Sequence, residues 1–346
     1  MVPRRRWPGP FHYAPAVARV GVFGAGAAGT ALAIHVARSG HDVILWGSEF
    51  DARVLPALRD DRQHPALPER LPPAVKVLGP EELPAAADGC ELAVLGANSR
   101  GARSLARLIA GDLPSEAILL SVGKGLERQT HARLSQVYGE ELGPRSVVSI
   151  GGPMLAPELS EGFLTAVVFA SDDPGALRRA AGAFHTDSYL VEVTDDVAGV
   201  ELCGTAKNVA AIGAGIVEGL AQTLQRDLKN ARAALYSQAV HEIAELVEAA
   251  GGRRETALGL AGMGDLYVTI LGGRNRIYGE AVGLGGDPAR VLEDMTNRGL
   301  TVEGAESVED VRHFSEELGL ALPLHRAVHR VLHDGAPPEH VLESVR

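Results

Sequence analysis

The amino-acid sequence predicts an α/β protein: a doubly wound, mostly parallel sheet followed by an all-α C-terminal domain. Three observations carry this. From Val17 to about Thr194, short β-branched runs alternate with amphipathic stretches; a glycine-spaced turn follows the first run; and after Asp196 the strand signal stops. Taken in order, "ARVGVFG", "DVILWG", "VKVLG", "ELAVLG", "AILLSVGKG", "SVVSIGG", "TAVVFAS" and "YLVEVT" read as buried strands. Amphipathic segments at 30–39, 99–110 and 129–139 stand between them as crossovers, which parallel pairing requires. Beyond the strands, 198–222, 228–250, 288–297, 304–318 and 322–333 suit helices separated by Gly- or Pro-marked turns. The boundary falls near "VTDDVAG", 193–199, where Asp195 or Asp196 can cap the next helix. This divides the chain into an irregular extension (1–17), a sheet domain (18–196) and an all-helical domain (197–346).

With 346 residues, 46% hydrophobic and 22% charged, the chain has the length and composition of a self-supporting two-domain globular protein. A net charge of −11 argues against a nucleic-acid partner, which needs a basic face, but leaves room for a small anion beside a few local cations. The two cysteines, Cys90 and Cys203, show neither metal-ligand spacing nor a disulfide pattern and fit a reducing cytoplasm; no metal site is expected. "MVPRRRWPGPFHYAPAVA" lacks the apolar stretch of a signal peptide, and later apolar runs are short or broken by Gly, so membrane insertion is not expected.

"RVGVFGAGAAGTALAIHVARSGHDVILWG" places Gly24-x-Gly26-x-x-Gly29 directly after a strand and at the opening of a helix, with a second strand following. Such glycines allow a tight turn, close approach of a pyrophosphate to the backbone, and close packing of helix on strand; the helix N-terminus supplies amide donors. This is a Rossmann-type dinucleotide turn in its full context. Sites for NAD usually place Asp or Glu at the tip of the second strand, whereas that tip here reads Gly47-Ser48, with Glu49 and Arg53 beyond it. The expected cofactor is NADP or NAD, with a slight lean to NADPH.

Four further stretches carry chemistry: "SVGKGLE" (121–127), "IGGPMLAPE" (150–158), "ELCGTAKNVAA" (201–211) and "GLAGMGDLYVTILGGRNR" (259–276). In the third, Gly204, Lys207, Ala211 and Gly215 share one helix face, so a lone cation sits on a stripe with almost no side-chain bulk. Taken singly, each residue also has a plain reading: Lys207 snorkelling from a packed helix, Lys124 as a loop cation, Asp265 as a cap, Arg274 and Arg276 as solvated charges.

As a set they resemble the soluble NAD(P)-dependent sn-glycerol-3-phosphate dehydrogenases. The likeness runs from Arg19 onward through "GAGAAGTALA", "KGLE", "GGPMLAPE", "GVELCGTAKNVAAIGAGI", "NARAAL", "GLAGMGDL", "GGRNR" and "TVEGAES". The resemblance implies Lys207 as the catalytic lysine, with Lys124 and Asp265 in the catalytic set. Lys124, Gly152, Asn208, Asp265, Thr269, Gly273, Arg274 and Asn275 fall on the substrate side, Arg274 and Asn275 gripping the phosphate. Gly24, Gly26, Ala27, Ala28, Gly29, Ser48, Lys124, Ala156, Arg274 and Glu303 fall on the cofactor side. It also implies a homodimer, and a product serving glycerophospholipid synthesis.

The chemistry agrees with that assignment. A lysine held among small apolar residues near a second cation has its ammonium form disfavoured, which makes it a better general acid, or base in reverse. The small residues around it would let substrate and nicotinamide come near, and a guanidinium can hold phosphate oxygens in a fork. The sequence departs from the family pattern in three places. Met154 stands where the family has Ser, "TLQRDLK" (223–229) is extra, and "GANSRGARS" (96–104) replaces Val-Pro-Ser. Two other readings therefore stay open: a related dehydrogenase of another small phosphorylated or carboxylated 2-hydroxy compound, and a nucleotide-sensing scaffold.

Overall fold

Each of the eight β-branched runs forms a strand in the computed structural model, which describes residues 17–345. The expected extension, 1–17, lies outside the described residues except for Val17. The strands are β1 Arg19–Phe23, β2 Asp42–Trp46, β3 Lys76–Leu78, β4 Leu92–Leu95, β5 Ile118–Ser121, β6 Val147–Gly151, β7 Thr165–Ala170 and β8 Tyr189–Thr194. They form one sheet in the order β3-β2-β1-β4-β5-β6-β7-β8. β1 pairs parallel with β2 and with β4, β4 with β5, β5 with β6, and β7 with β8.

Alternation along the strands sends side chains to two cores. Val22 and Val94 face one with Ala31, Leu32 and Phe184; Phe23 and Leu95 face the other with Leu105, Ala106 and Tyr138. Helices thus cover both faces, which is why these strands read as unbroken apolar runs. Burying each Val or Leu side chain completely stabilises the fold by roughly 1.5–3 kcal/mol. The parallel register sets Phe23 beside Leu95, so the chain leaves β1 and β4 at neighbouring points. This is where the strand order reverses, the place at which such sheets receive ligands.

Contacts divide the chain into two compact units. The first is the sheet with its helices: the described residues to Gly123, with 134–150 and 154–197. The second comprises 124–133, 151–153 and the chain from Ala198 onward. The expected helices form there as Val197–Thr223, Lys229–Ala249, Pro288–Asn297, Gly304–Glu317 and Pro323–His333. The sequence reading did not assign helix between 250 and 287, where the structure has Arg254–Ala257, a π turn at Leu260–Gly264, Asp265–Leu271 and Arg274–Gly283.

Val197–Thr223 is long and apolar enough to span a membrane, but its most apolar window is 94% buried within the protein, as befits a core helix. Its glycines make that burial dense. A Cβ on Gly215 would overlap the Arg276 carbonyl oxygen, and one on Gly279 would overlap that of Ile212. Gly219 and Gly283 repeat the arrangement one turn further on, so Val197–Thr223 and Arg274–Gly283 meet backbone to backbone. At Gly215, then, the small-residue stripe serves helix packing rather than ligand access; at Gly204 it faces the Lys124 side chain, whose carbons lie 3.5 Å from a Cβ placed there.

Candidate functional site

In the helical unit, Lys207, Lys124 and Asp265 meet. Lys207 is carried by the long helix and is 4% exposed. Its Nζ donates to Asp265 Oδ1 at 2.6 Å and to Thr269 Oγ1 at 2.8 Å. Lys124 Nζ donates to the other oxygen of the same carboxylate, Asp265 Oδ2, at 2.6 Å, and to the Gly152 carbonyl at 3.2 Å. Each ammonium group has three N–H donors and uses two of them here, so each retains one for a ligand. Both Asp265 oxygens are engaged.

Local chain geometry explains the meeting. Asp265 opens a helix directly after the π turn, and that turn needs Gly262, because a Cβ there would overlap the Ala257 carbonyl. Thr269, one helical turn beyond Asp265, donates its hydroxyl to the Asp265 carbonyl at 2.6 Å, which turns its lone pairs toward Lys207. The segment bearing Lys124 is closed by the bridge between Leu126 and Arg133 and tied down by His131 Nδ1, 2.8 Å from Asp310 Oδ1. Gly152 contributes its carbonyl from a left-handed conformation, φ +102°, that favours glycine.

Burial is the largest influence on Lys207 and pushes its pKa down to about 8, with the Lys124 charge acting in the same direction and Asp265 opposing both. The cost of burying an ammonium group thus leaves an amine that exchanges its proton near neutral pH.

A second set lies one residue along the helix. Asn208 Oδ1 accepts from Asn275 Nδ2 at 2.9 Å, and Asn275 Oδ1 accepts from the Gly304 amide at 2.9 Å. Glu303 Oε2 lies 3.5 Å from Asn208 Nδ2, and Glu303 Oε1 lies 3.9 Å from Arg274 Nη2. Asn275 is buried and ties three segments together, whereas the Arg274 side chain is 52% exposed and open to an anion. Gly273, φ +131°, precedes Arg274 at the helix start.

The glycine turn lies in the sheet unit. Gly24 has φ +116°, and a Cβ on it would press on the Gly96 backbone at 3.1 Å. A Cβ on Gly29 would overlap the Gly24 carbonyl, so this glycine serves helix packing, while one on Gly26 would meet nothing within 4 Å. That open space at the N-terminus of helix Ala27–Arg38 fits an approaching pyrophosphate. Gly24, Gly26, Ala27 and Ala28 are partly accessible. Ala156 starts the helix Ala156–Glu161 and packs against the sheet core.

Beyond the Gly47-Ser48 tip of β2, Ser48 caps the turn Glu49–Asp51, and Asp51 Oδ2 accepts from the Ser48 amide at 2.8 Å and its hydroxyl at 3.0 Å. The S-x-x-D pattern of "SEFD" signals such a capping box, but Asp51 lies too far beyond the strand to match the usual position. Met154, which stands where the family has Ser, packs against the sheet core, its Sδ accepting the Tyr189 hydroxyl at 3.4 Å. The extra residues 223–229 are nearly all exposed.

The chain is an NAD(P)-dependent oxidoreductase acting on a CH–OH group, a class with which a Rossmann-type sheet, an open glycine turn and a buried lysine accord. Family models for the N-terminus and the C-terminus of NAD-dependent glycerol-3-phosphate dehydrogenase match residues 19–177 and 196–343. The chain belongs to that family. It is 38% identical to glycerol-3-phosphate dehydrogenase [NAD(P)+] of Thioalkalivibrio sulfidiphilus, over 91% of this chain and 93% of that one. It is 33% identical to NADP(+)-dependent glycerol-3-phosphate dehydrogenase of Archaeoglobus fulgidus, over 93% and 97%. The crystal structure of glycerol-3-phosphate dehydrogenase from Coxiella burnetii superposes with a TM-score of 0.85 at 30% identity, covering 94% of this chain and 98% of that one.

Proposed function

We propose that the chain catalyses the reversible NAD(P)-dependent reduction of dihydroxyacetone phosphate to sn-glycerol 3-phosphate. One arrangement carries this reading: two ammonium groups share a single buried carboxylate, and each keeps an N–H for a ligand oxygen. Lys207 holds the proton that passes to the ketone oxygen in reduction and takes it back in oxidation. Asp265 fixes both amines and keeps Lys207 from losing its proton too readily. Lys124 directs its remaining N–H to a substrate oxygen. Arg274 holds the phosphate, and that remote grip, with Gly152, Asn208, Thr269, Gly273 and Asn275 shaping the substrate side, orients the reacting carbon. When bound, the nicotinamide supplies or accepts the hydride.

Gly24, Gly26, Ala27, Ala28 and Ser48 hold the dinucleotide, on a turn that Gly29 lets pack closely, with Lys124, Ala156, Arg274 and Glu303 contributing on its side. In this reading residues 18–196 are the dinucleotide-binding domain and 197–346 the substrate domain. The sulfur of Met154 is taken up by Tyr189, and 223–229 is largely exposed, so neither departure adds a group to the lysine–aspartate set. The same reading makes the protein a cytoplasmic homodimer serving glycerophospholipid synthesis, with neither nucleic-acid partner nor membrane insertion; both cysteines are buried, as suits a reducing compartment.

A panel of small ketones with purified protein tests the function, and light scattering tests the dimer. Oxidation of NADH or NADPH with dihydroxyacetone phosphate, lost in Lys207→Ala, is the expected result. Turnover of a different ketone but not of dihydroxyacetone phosphate would overturn the substrate assignment.

A further inference from the structure

We propose that Asp51 makes this chain select the dinucleotide with a free adenosine 2′-hydroxyl over its 2′-phosphorylated counterpart. The inference rests on the reading of the Gly24–Gly29 turn as a dinucleotide site and says which dinucleotide that turn receives.

At the end of β2, where an acid for the ribose usually stands, this chain has glycine, and a side chain there would have to move the Leu55 side chain aside. A Cβ on Gly47 would lie 2.7 Å from Leu55 Cδ2, and the Gly47 amide is held at 3.0 Å by the Leu78 carbonyl. An acid arrives instead from four residues further on. The turn Glu49–Asp51 folds back, and the Ser48 amide and hydroxyl both donate to Asp51 Oδ2. The Ser48 hydroxyl is itself placed by accepting from the Phe50 amide at 3.3 Å. One carboxylate oxygen is thereby fixed, while Asp51 Oδ1 has no hydrogen-bond partner among the described residues.

That carboxylate lines a cavity of about 400 Å³ that Gly24 also lines, so one continuous space joins the glycine turn to the acid. Phe50, 89% exposed, and Leu108, 50% exposed, line the same space and offer apolar faces to a flat base. The ribose 2′- and 3′-hydroxyls are donors that suit a carboxylate oxygen. A 2′-phosphate has only acceptors to offer and carries negative charge toward a fixed negative group. Arg100, the one cation lining this cavity among the described residues, is the group that would favour the phosphate instead, and the experiment sets the two against each other.

Dissociation constants for NADH and NADPH, measured by calorimetry without a second substrate, read binding rather than turnover. The unaltered chain is expected to hold NADH at least about tenfold more tightly than NADPH, and Asp51→Asn to bring the two within about threefold by improving NADPH. Asparagine still accepts from Ser48, so the turn is retained; competition by AMP against 2′,5′-ADP gives the same comparison with no variant at all. Equal or tighter binding of NADPH by the unaltered chain overturns the proposal. So does a ratio that Asp51→Asn leaves alone while Arg100→Ala changes it. Failure of both dinucleotides to bind removes the dinucleotide reading itself, and this inference with it.

Discussion

In the proposed reaction Lys207 is the residue on which the chemistry turns, and its titration is its signature. With its pKa lowered by burial to about 8, the amine changes state within the range that an assay can reach. Ketone reduction needs the ammonium form, so its kcat should fall as pH rises through about 8; alcohol oxidation needs the free amine and should rise over the same interval. Steady-state rates in both directions check this, and a reductive rate flat from pH 7 to 9 would assign the proton to another group. Asp265→Asn leaves two cations without their shared counter-charge, at a cost of roughly 3–5 kcal/mol in urea unfolding. It should also move the reductive midpoint below that of the unaltered enzyme, because Asp265 acts to raise the Lys207 pKa. Arg274→Ala should raise KM for the phosphorylated substrate about 10- to 100-fold, from loss of a charge-assisted contact, with a far smaller effect on the dinucleotide KM. Equal damage to both would remove the phosphate assignment.

Among the elements, the crossing of Val197–Thr223 and Arg274–Gly283 brings the segments of Lys207 and Asn275 together. Gly279→Ala should destabilise the protein by about 1–3 kcal/mol, since no rotamer change relieves a Cβ pressed on a carbonyl; chemical denaturation would show it, and an unchanged midpoint would mean the contact yields freely. The strands were legible because burial on both faces gives a parallel strand an unbroken apolar run, as in Leu92–Leu95. The segment 254–283 was not legible as helix. Glycine weakens helix propensity, and the glycines of "GLAGMGDL" and "LGGRNR" conceal a π turn and two helices whose stability comes from packing. Asp51 was hidden differently: a capping box ties its carboxylate to Ser48, three residues back, which linear spacing does not show.

Across the molecule, a chain of net charge −11 keeps a locally cationic site. The sequence named Lys124, Lys207 and Asp265 by resemblance, but not that one carboxylate serves both amines or that Asn275 spends its amide on Asn208 and Gly304. Such sharing depends on distances between residues far apart in the chain, such as the 2.6 Å separating Lys124 from Asp265. With two ammonium groups and Arg274 against Asp265 and Glu303, the site is left one positive charge in excess whenever Lys207 is protonated. A phosphate ester entering near pH 8 would draw a proton from solution onto the amine. Its heat of binding should therefore change with the ionisation enthalpy of the buffer, so that Tris and phosphate report different calorimetric values for one and the same association.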